Sequence, residues 1–350
     1  MERFDYFIRR LLLVIPTFIG ITMLCFTITQ FVPGGPVEQM MMRMRGMGGG
    51  GEAVQGGAEN AAAAMEAERE AYKRHFGFDK PVHVRYWKWL WNDACGMKTR
   101  SYQFPNKTAW EMISKRFPVS LTFGIISFVL TYLVCIPLGV CKALRHGTTF
   151  DLASSVIIFI GYALPVFALG MLLKMLFCGT VDGLWDIFPA SGFHSQEFAE
   201  LSFWQKAKDI AVHMLLPVVC YMTGSFAMLT MLMKNSLLEQ INSDYIRTVY
   251  ARGGTTSRAL WGHAFRNALI PIATGFGSVL TVMFAGSVII ERVFEIPGMG
   301  NLGLEATMGR DYPVFMGILA LTSALGLLGN IISDFCYVII DPRINPDSVK

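Results

Sequence analysis

Gly298, Gly300 and Gly303 stand at the spacing G-x-G-x-x-G, which in a strand–turn–helix unit lets backbone amides close on a dinucleotide pyrophosphate. Here the triplet follows an apolar stretch of membrane length instead of a strand, so a glycine-rich turn is the reading that fits. No G-x-x-x-x-G-K-S/T is present to cradle nucleotide phosphates, and no H-E-x-x-H to hold a catalytic metal. Ionisable residues within apolar segments stand singly. Asp334 must face protein or water, because a carboxylate in hydrocarbon is costly, and a structural hydrogen bond fits it better than a transport role. Lys174, near the outer end of its segment, is expected to snorkel. His213, shortly before Pro217 and without a partner, reads as interfacial and not as a ligand. Enzyme chemistry needs paired groups at membrane depth, and none is seen. The chain is therefore expected to hold no catalytic residue, no metal and no cofactor of its own.

The chemistry that remains is polar recognition. Between two segments long enough to cross a bilayer, Asn235 to Pro271 carries Arg247, Arg252, Arg258 and Arg266. Asp244 to Arg252 reads as one short helix, with Tyr245, Thr248 and Val249 recurring at helical spacing. Gly253-Gly254 ends it, since glycine accepts the positive φ of a helix C-cap. Thr255 or Thr256 can cap a second helix running through Leu260 and Phe265. Helix, glycine turn, helix, then membrane makes a rigid elbow on which something docks. A basic amphipathic loop lying on lipid headgroups is the competing reading.

The elements around it follow from apolar length. With 53% hydrophobic and 16% charged residues over 350 positions, the chain is too apolar for an ordinary soluble domain. A spanning helix needs about 20 apolar residues, and six stretches qualify: Leu11–Val32, Val119–Val140, Leu152–Phe177, Ile210–Met233, Ala268–Ile290 and Val314–Ile340. The predicted class is an all-α integral membrane protein, because a spanning segment must satisfy its own backbone. Arg3, Arg9, Arg10, Lys142, Arg145, Lys234, the elbow arginines, Arg343 and Lys350 fall on one side, against Lys206, Lys208, Arg292 and Arg310 in the short loops opposite. The positive-inside rule then puts both termini in the cytoplasm. Leu11–Val32 is too long for a signal-peptide core and lacks a small-residue cleavage site, so it is expected to stay as the first helix, with Pro16 early in it. Gly170, Gly275, Gly286, Ala273 and Ala285 offer small surfaces for close helix contacts. Of seven cysteines, only Cys95 and Cys178 reach the predicted outer face, where an oxidising compartment could pair them; small buried hydrophobes is the reading for most of the set.

After the first helix the composition changes. Met40 to Gly57 is a methionine- and glycine-rich linker. Glu59 to Phe76 reads as an alanine-rich helix, with Glu70 and Arg74 at i,i+4 and Gly77 as its stop. Tyr86, Trp87, Trp89 and Trp91 suit the headgroup zone. The expected organisation is a membrane helix over 1–33, an extracytoplasmic insertion over 34–118 with its linker at 40–57, a membrane core over 119–340 with the connecting loop at 235–267, and a cytoplasmic tail over 341–350.

Asp244-Tyr245-Ile246-Arg247-Thr248-Val249-Tyr250-Ala251-Arg252-Gly253, followed by His263 through Pro271, resembles the EAA loop of ABC importer permeases. The form is that of the di- and oligopeptide branch, D-Y-x-R-T-A-x-A-K-G and H-A-x-R-N-A-x-x-P. Arg247-Thr248-Val249 stands where the general pattern has Glu-Ala-Ala, and His263-Ala264-Phe265-Arg266 where it has I-x-L-P. Phe78 to Pro81, Gly286 to Glu291, Ile296 to Gly300, Arg310 to Pro313 and Asp341 to Ile344 resemble further segments of that branch, whereas Asn92 to Gly96 departs from its G-D-F-G. The glycine-rich insertion and Ile160 to Pro165 bring the chain near the first permease subunits of importers for oligopeptides and the peptide antibiotic microcin C.

The resemblance implies a type I ABC importer permease of the bacterial inner membrane, with six helices and an extracytoplasmic insertion after the first. Its implied partners are a second homologous permease, two ATP-binding subunits or one fused ATPase, and an extracytoplasmic peptide-binding protein. ATP and Mg would sit on the ATPase, and no nucleic acid is involved. By the same resemblance Asp244, Tyr245, Arg247, Thr248, Ala251, Arg252, Gly253, His263, Arg266 and Asn267 would couple the chain to the ATPase. Met222, Phe226, Met228, Met283 and Phe284, with Met231 and Met316, are adaptable enough to line a path for varied peptides. The alternative is an ion-coupled secondary transporter of small solutes, which would place ionisable groups near the midplane and often show internal repeats; this chain offers only Asp334 and no obvious repeat. If Gly46–Gly57 is a tether, shortening it by several residues should leave peptide uptake nearly intact, because closure entropy changes slowly with length. Deleting Tyr72–Trp91 should cripple uptake, and equal loss from both deletions would refute the linker assignment.

Overall fold

The computed structural model describes residues 2–31, 67, 70, 79–181, 184–274 and 287–340. The expected linker at 40–57, the 59–76 helix, Gly275, Gly286, Met283, Phe284 and the 341–350 tail lie outside them, as does most of the Ala268–Ile290 span. The described residues are helical, with two isolated β-bridges, Arg100 with Thr108 and Cys178 with Asp186. In chain order the helices are α1 Glu2–Phe31, α2 Val82–Trp87, α3 Ala109–Leu144, α4 Thr149–Ala163, α5 Val166–Phe177, α6 Phe203–Ile241 and α7 Asp244–Ala251. Next, α8 starts at Thr256–Ala259, passes through a π turn at Leu260–Ala264 and resumes as Phe265–Ala268 and Ile270–Thr274. Three more follow: α9 Val288–Val293, α10 Met299–Met308 and α11 Tyr312–Ile340.

Four of these helices, α1, α3, α6 and α11, are long and apolar enough to span a bilayer. The expected third span is not one rod. Its halves α4 and α5 meet at 99°. Leu164 is extended there, with φ −77° and ψ 126°. Pro165 drives it out of the helical region and has no N–H to carry the ladder onward. The second span also differs, starting at Ala109 and passing through Pro118 and Pro137. The fourth runs on to Ile241, so Asn235–Ile241 belongs to α6 and not to the connection. At 1.5 Å per residue, the 36 residues of α3 and 39 of α6 reach roughly 54 and 58 Å, well beyond a hydrocarbon core of about 30 Å. The outward faces are oily: Leu152, Ile157 and Ile160 on α4 are exposed, as are Leu11 to Leu13 on α1.

The described residues pack as two compact units. The smaller draws on Ile15–Ser114 and Gly303–Ser323. Its core joins Phe26 of α1, Tyr86, Trp89 and Leu90 of the α2 region, and Met316 and Ala320 of α11. Tyr86 and Trp89 are therefore buried within the protein, whereas Trp87 and Trp91 are exposed. The Tyr86 hydroxyl donates to the Ile19 carbonyl at 3.1 Å and lies 2.9 Å from Thr22 Oγ1. Buried Asp311 accepts from the Ser101 hydroxyl and, at 3.0 Å, from the Tyr102 N–H.

The larger unit takes in Lys115–Leu302, with the start of α1 and the end of α11. One of its cores gathers Phe123 on α3, Met214, Leu216, Val218 and Cys220 on α6, and Ile290, Phe294 and Ile296 around α9. Gly170 on α5 is buried against Val293 and Phe294, as its size suggested. Fully buried Glu291 accepts from Ser120 Oγ at 2.8 Å and from the Asn301 N–H at 2.7 Å. The glycine triplet serves this joint. A Cβ on Gly298 would sit 2.3 Å from the Glu291 carboxylate, and one on Gly300 would sit 2.6 Å from the Val288 nitrogen. Two ionisable residues within apolar segments find partners. Lys174 donates to the Val293 carbonyl at 3.1 Å, with Glu295 at 3.6 Å. Asp334 is ion-paired with Arg10. Cys95 and Cys178 are both free thiols.

The crossing of α3 and α6 depends on Gly139, where a Cβ would meet the Met233 side chain at 2.6 Å and the Thr230 carbonyl at 2.9 Å. Gly139→Val should cost about 1–3 kcal/mol through overpacking. Gly161→Ala, with open space around it, should be neutral. Thermal unfolding in detergent checks this, and equal melting of both variants would count against a close crossing.

Candidate functional site: the elbow between α6 and α8

The elbow's position is set by what it buries. Ile246 of α7 is 1% exposed, and with Ala259, Leu260, Ala264 and Ala268 of α8 it packs on Val140 and Ala143 of α3 and Met233 and Leu237 of α6. Val249 lines the rim of that cluster. The buried face of α7 is therefore Ile246 with Val249, while Tyr245 and Thr248 face outward. Period alone could not choose between these faces, since both repeat at three to four residues.

Hydrogen bonds close the frame. The Ser236 hydroxyl donates to the Ala268 carbonyl at 2.9 Å, tying α6 to the far end of the elbow. The Tyr245 hydroxyl donates to Gln240 Oε1 at 2.8 Å and accepts from Asn267 Nδ2 at 3.1 Å. Tyr245 thus bridges the end of α6, α7 and the start of the returning helix. The turn is built as the glycines required. Gly253 has φ +79°, and the Gly253 and Gly254 N–H groups return to the Tyr250 and Val249 carbonyls, both at 2.9 Å. A Cβ on Gly254 would lie 2.6 Å from the Val249 side chain. Of the two candidate caps it is Thr255 that serves, its hydroxyl accepting from the Arg258 N–H at 3.4 Å.

What the elbow leaves outside is cationic. Arg247, Thr248, Ala251, Arg252, Gly253, Arg258, His263, Arg266 and Asn267 are all exposed. Among the described residues, only Arg247 of these has a carboxylate within ion-pair distance, Asp244 at 3.4 Å, and with side chains 77% and 96% exposed that pair contributes little. Trp261 is exposed on the π turn, its ring 5.1 Å from Phe265. Sequence reasoning passed over Gln240, Ile246 and Trp261. Ile246 was readable from burial by an apolar side chain amid polar neighbours; the π turn had no local signal. Such a surface, with exposed guanidinium groups and the exposed aromatics Tyr245, Tyr250 and Trp261 on a packed frame, suits a protein cleft bearing carboxylates and carbonyls.

Residues suggested for a path fall in different places. Met222, Phe226 and Met231 are half-buried on α6, Met222 against the Phe123 core. Met228 is 76% exposed, and Met316 is buried in the smaller unit's core.

The longest described helix thus ends in a packed elbow with a cationic outer face, in a chain with four described helices long and apolar enough to span a bilayer. Comparison with known proteins places it further. Residues 135–346 match the family of binding-protein-dependent transport system inner membrane components. The chain is 41% identical to the inner membrane ABC transporter permease protein YejB of Escherichia coli O157:H7, over 97% of this chain and 98% of that protein. It is 38% identical to the peptidoglycan transport system permease protein YejB of Agrobacterium fabrum and 33% identical to the oligopeptide transport system permease protein AppB of Bacillus subtilis, each with the same coverage. The chain belongs to the binding-protein-dependent transport system inner membrane components, as an ABC importer permease subunit.

Truncating the elbow's anchor tests the frame. Ile246→Ala should cost about 2–5 kcal/mol locally. It should free α7 and raise protease cutting near Gly253 in membranes that still contain the chain; an unchanged cutting pattern would mean that Ile246 does not hold the elbow.

Proposed function

We propose that this chain carries peptides across the bacterial inner membrane, powered by ATPase subunits that grip its elbow. The relatives named for oligopeptide and peptidoglycan transport, aligned over nearly the whole chain, are the observation that carries the substrate class. In this reading both termini and the elbow lie in the cytoplasm, consistent with the arginines gathered there. A second permease of the same kind completes the pathway, two ATP-binding subunits or one fused ATPase hold ATP and Mg, and an extracytoplasmic binding protein delivers the peptide. Asp244, Tyr245, Arg247, Thr248, Ala251, Arg252, Gly253, His263, Arg266 and Asn267 form the contact or its frame. Met222, Phe226, Met228, Met283 and Phe284 contribute to a tolerant path. Closure of the ATPase displaces the elbow, and because Ile246 and Leu260 are packed against α3 and α6, those helices move with it.

The turn gives a sharp test. A β-branched residue at φ +79° costs about 1–3 kcal/mol. No neighbour crowds that position, so the effect is purely one of backbone conformation. Gly253→Val and Arg252→Glu should abolish peptide uptake while the chain reaches the membrane at its normal level. Gly253→Asn, which tolerates the left-handed region, should keep most of it. Normal uptake by the first two variants would reject the coupling assignment, and uptake driven by an ion gradient without ATPase would favour a secondary transporter.

A further inference from the structure

A buried charge cluster lies beside the elbow, and nothing in the docking reading uses it. Lys142 in the last turn of α3 is fully buried, and Asp151 in the first turn of α4 and Lys234 on α6 are nearly so, at 6% and 8% exposed. Lys234 Nζ donates to both carboxylate oxygens of Asp151, at 2.8 and 2.7 Å. Lys142 Nζ lies 3.1 Å from Asp151 Oδ1 and donates to the Asp151 carbonyl at 2.8 Å, Ser154 Oγ at 2.7 Å and Ser155 Oγ at 2.8 Å. The Gly147 N–H reaches Asp151 Oδ2 at 3.3 Å, as does exposed His146 Nδ1.

Burying such ions costs several kcal/mol each before pairing, and a well-packed apolar cluster is often at least as stable. Stability alone therefore gives no reason for two lysines on one aspartate. What an ionic network adds is a fixed geometry, because each acceptor holds its ammonium at one distance and angle. The neighbours show what is fixed. Ala143 adjoins Lys142 and Met233 adjoins Lys234, with Val140 and Leu237 two and three residues away. These four side chains are the walls of the socket that holds Ile246 and Leu260. The cluster sets the separation of α3, α4 and α6 where the elbow is seated.

We infer that Lys142, Asp151 and Lys234 are positioning residues for energy coupling. They lock three helices into one body, so that displacement of the elbow moves the bundle instead of widening the socket. This rests on the elbow being the ATPase contact. It predicts an unusual phenotype: an assembled complex that hydrolyses ATP and transports little.

The test uses the whole importer, co-produced with its partner subunits, reconstituted in liposomes and supplied with binding protein and labelled trialanine. Peptide transported per ATP hydrolysed is the readout. Lys234→Met leaves Lys142 and Asp151 as a balanced pair and should assemble normally, with ATP turnover within about twofold and transport per ATP reduced by about tenfold or more. Lys234→Arg, which keeps the charge and two donors, should recover most of that ratio. Asp151→Asn should behave like Lys234→Met or fail to assemble, since it leaves two buried ammonium groups unpaired. A Lys234→Met complex with an unchanged ratio, or less complex with an unchanged ratio, would overturn the inference. Gly253→Val in the same assay separates the two ideas. Loss of coupling there with an intact Lys234→Met ratio removes the lock alone, and a normal Gly253→Val ratio removes the elbow reading and the lock with it.

Discussion

The burial of Ile246 and Leu260 between α3 and α6 is the contact on which the placement of the elbow in the larger unit depends. Within lipid, helices gain little by hiding apolar surface from each other, because the tails are equally apolar. The ends of α3 and α6 are different. Both helices are longer than a hydrocarbon core, and near their C-terminal ends Val140, Ala143, Met233 and Leu237 pack against the elbow's apolar face. That gives the elbow a packed seat and leaves its arginines exposed. Gly139 makes the seat possible one layer up, by letting α6 approach until Met233 and the Thr230 backbone fill the space a side chain would take.

Elsewhere the chain is held by a few complete polar joints. Glu291 is satisfied by Ser120, 171 residues away, and by the backbone of Asn301. Asp311 is satisfied by Ser101 and Tyr102, about 210 positions earlier. A buried carboxylate is tolerated only with its acceptors filled, so each joint specifies one mutual placement of distant segments. Gly298 exists for the same reason, since a side chain there would displace the Glu291 carboxylate. These joints fix the frame, and the elbow presents its cationic face on the outside.

Apolar length and punctuation were legible without coordinates. The runs of about 20 apolar residues located the long helices, and Gly253-Gly254 located the turn, its positive φ included. The polar, arginine-bearing character of Asn235–Pro271 marked it as an exposed surface, and the coordinates place Arg247, Arg252, Arg258 and Arg266 outward. Such features depend on a residue and its immediate neighbours, which is why the sequence by itself determines them.

Direction and partnership required the fold. Apolar averaging hid the break at Leu164-Pro165, because a helix and a right-angled pair of helices have the same hydropathy. Tyr245 and Ile246 are adjacent and both fit an amphipathic face; only the presence of α3 and α6 on one side buries Ile246 and leaves Tyr245 to bridge Gln240 and Asn267. Lys142 and Lys234 read as two more basic residues near helix ends, and Lys174 as a snorkelling one. Each finds an acceptor, and for Lys234 that acceptor is 83 positions away and for Lys174 119. The cost of a buried charge depends on partners that sequence distance does not reveal, so tertiary structure alone decided which charges face water and which hold the bundle together.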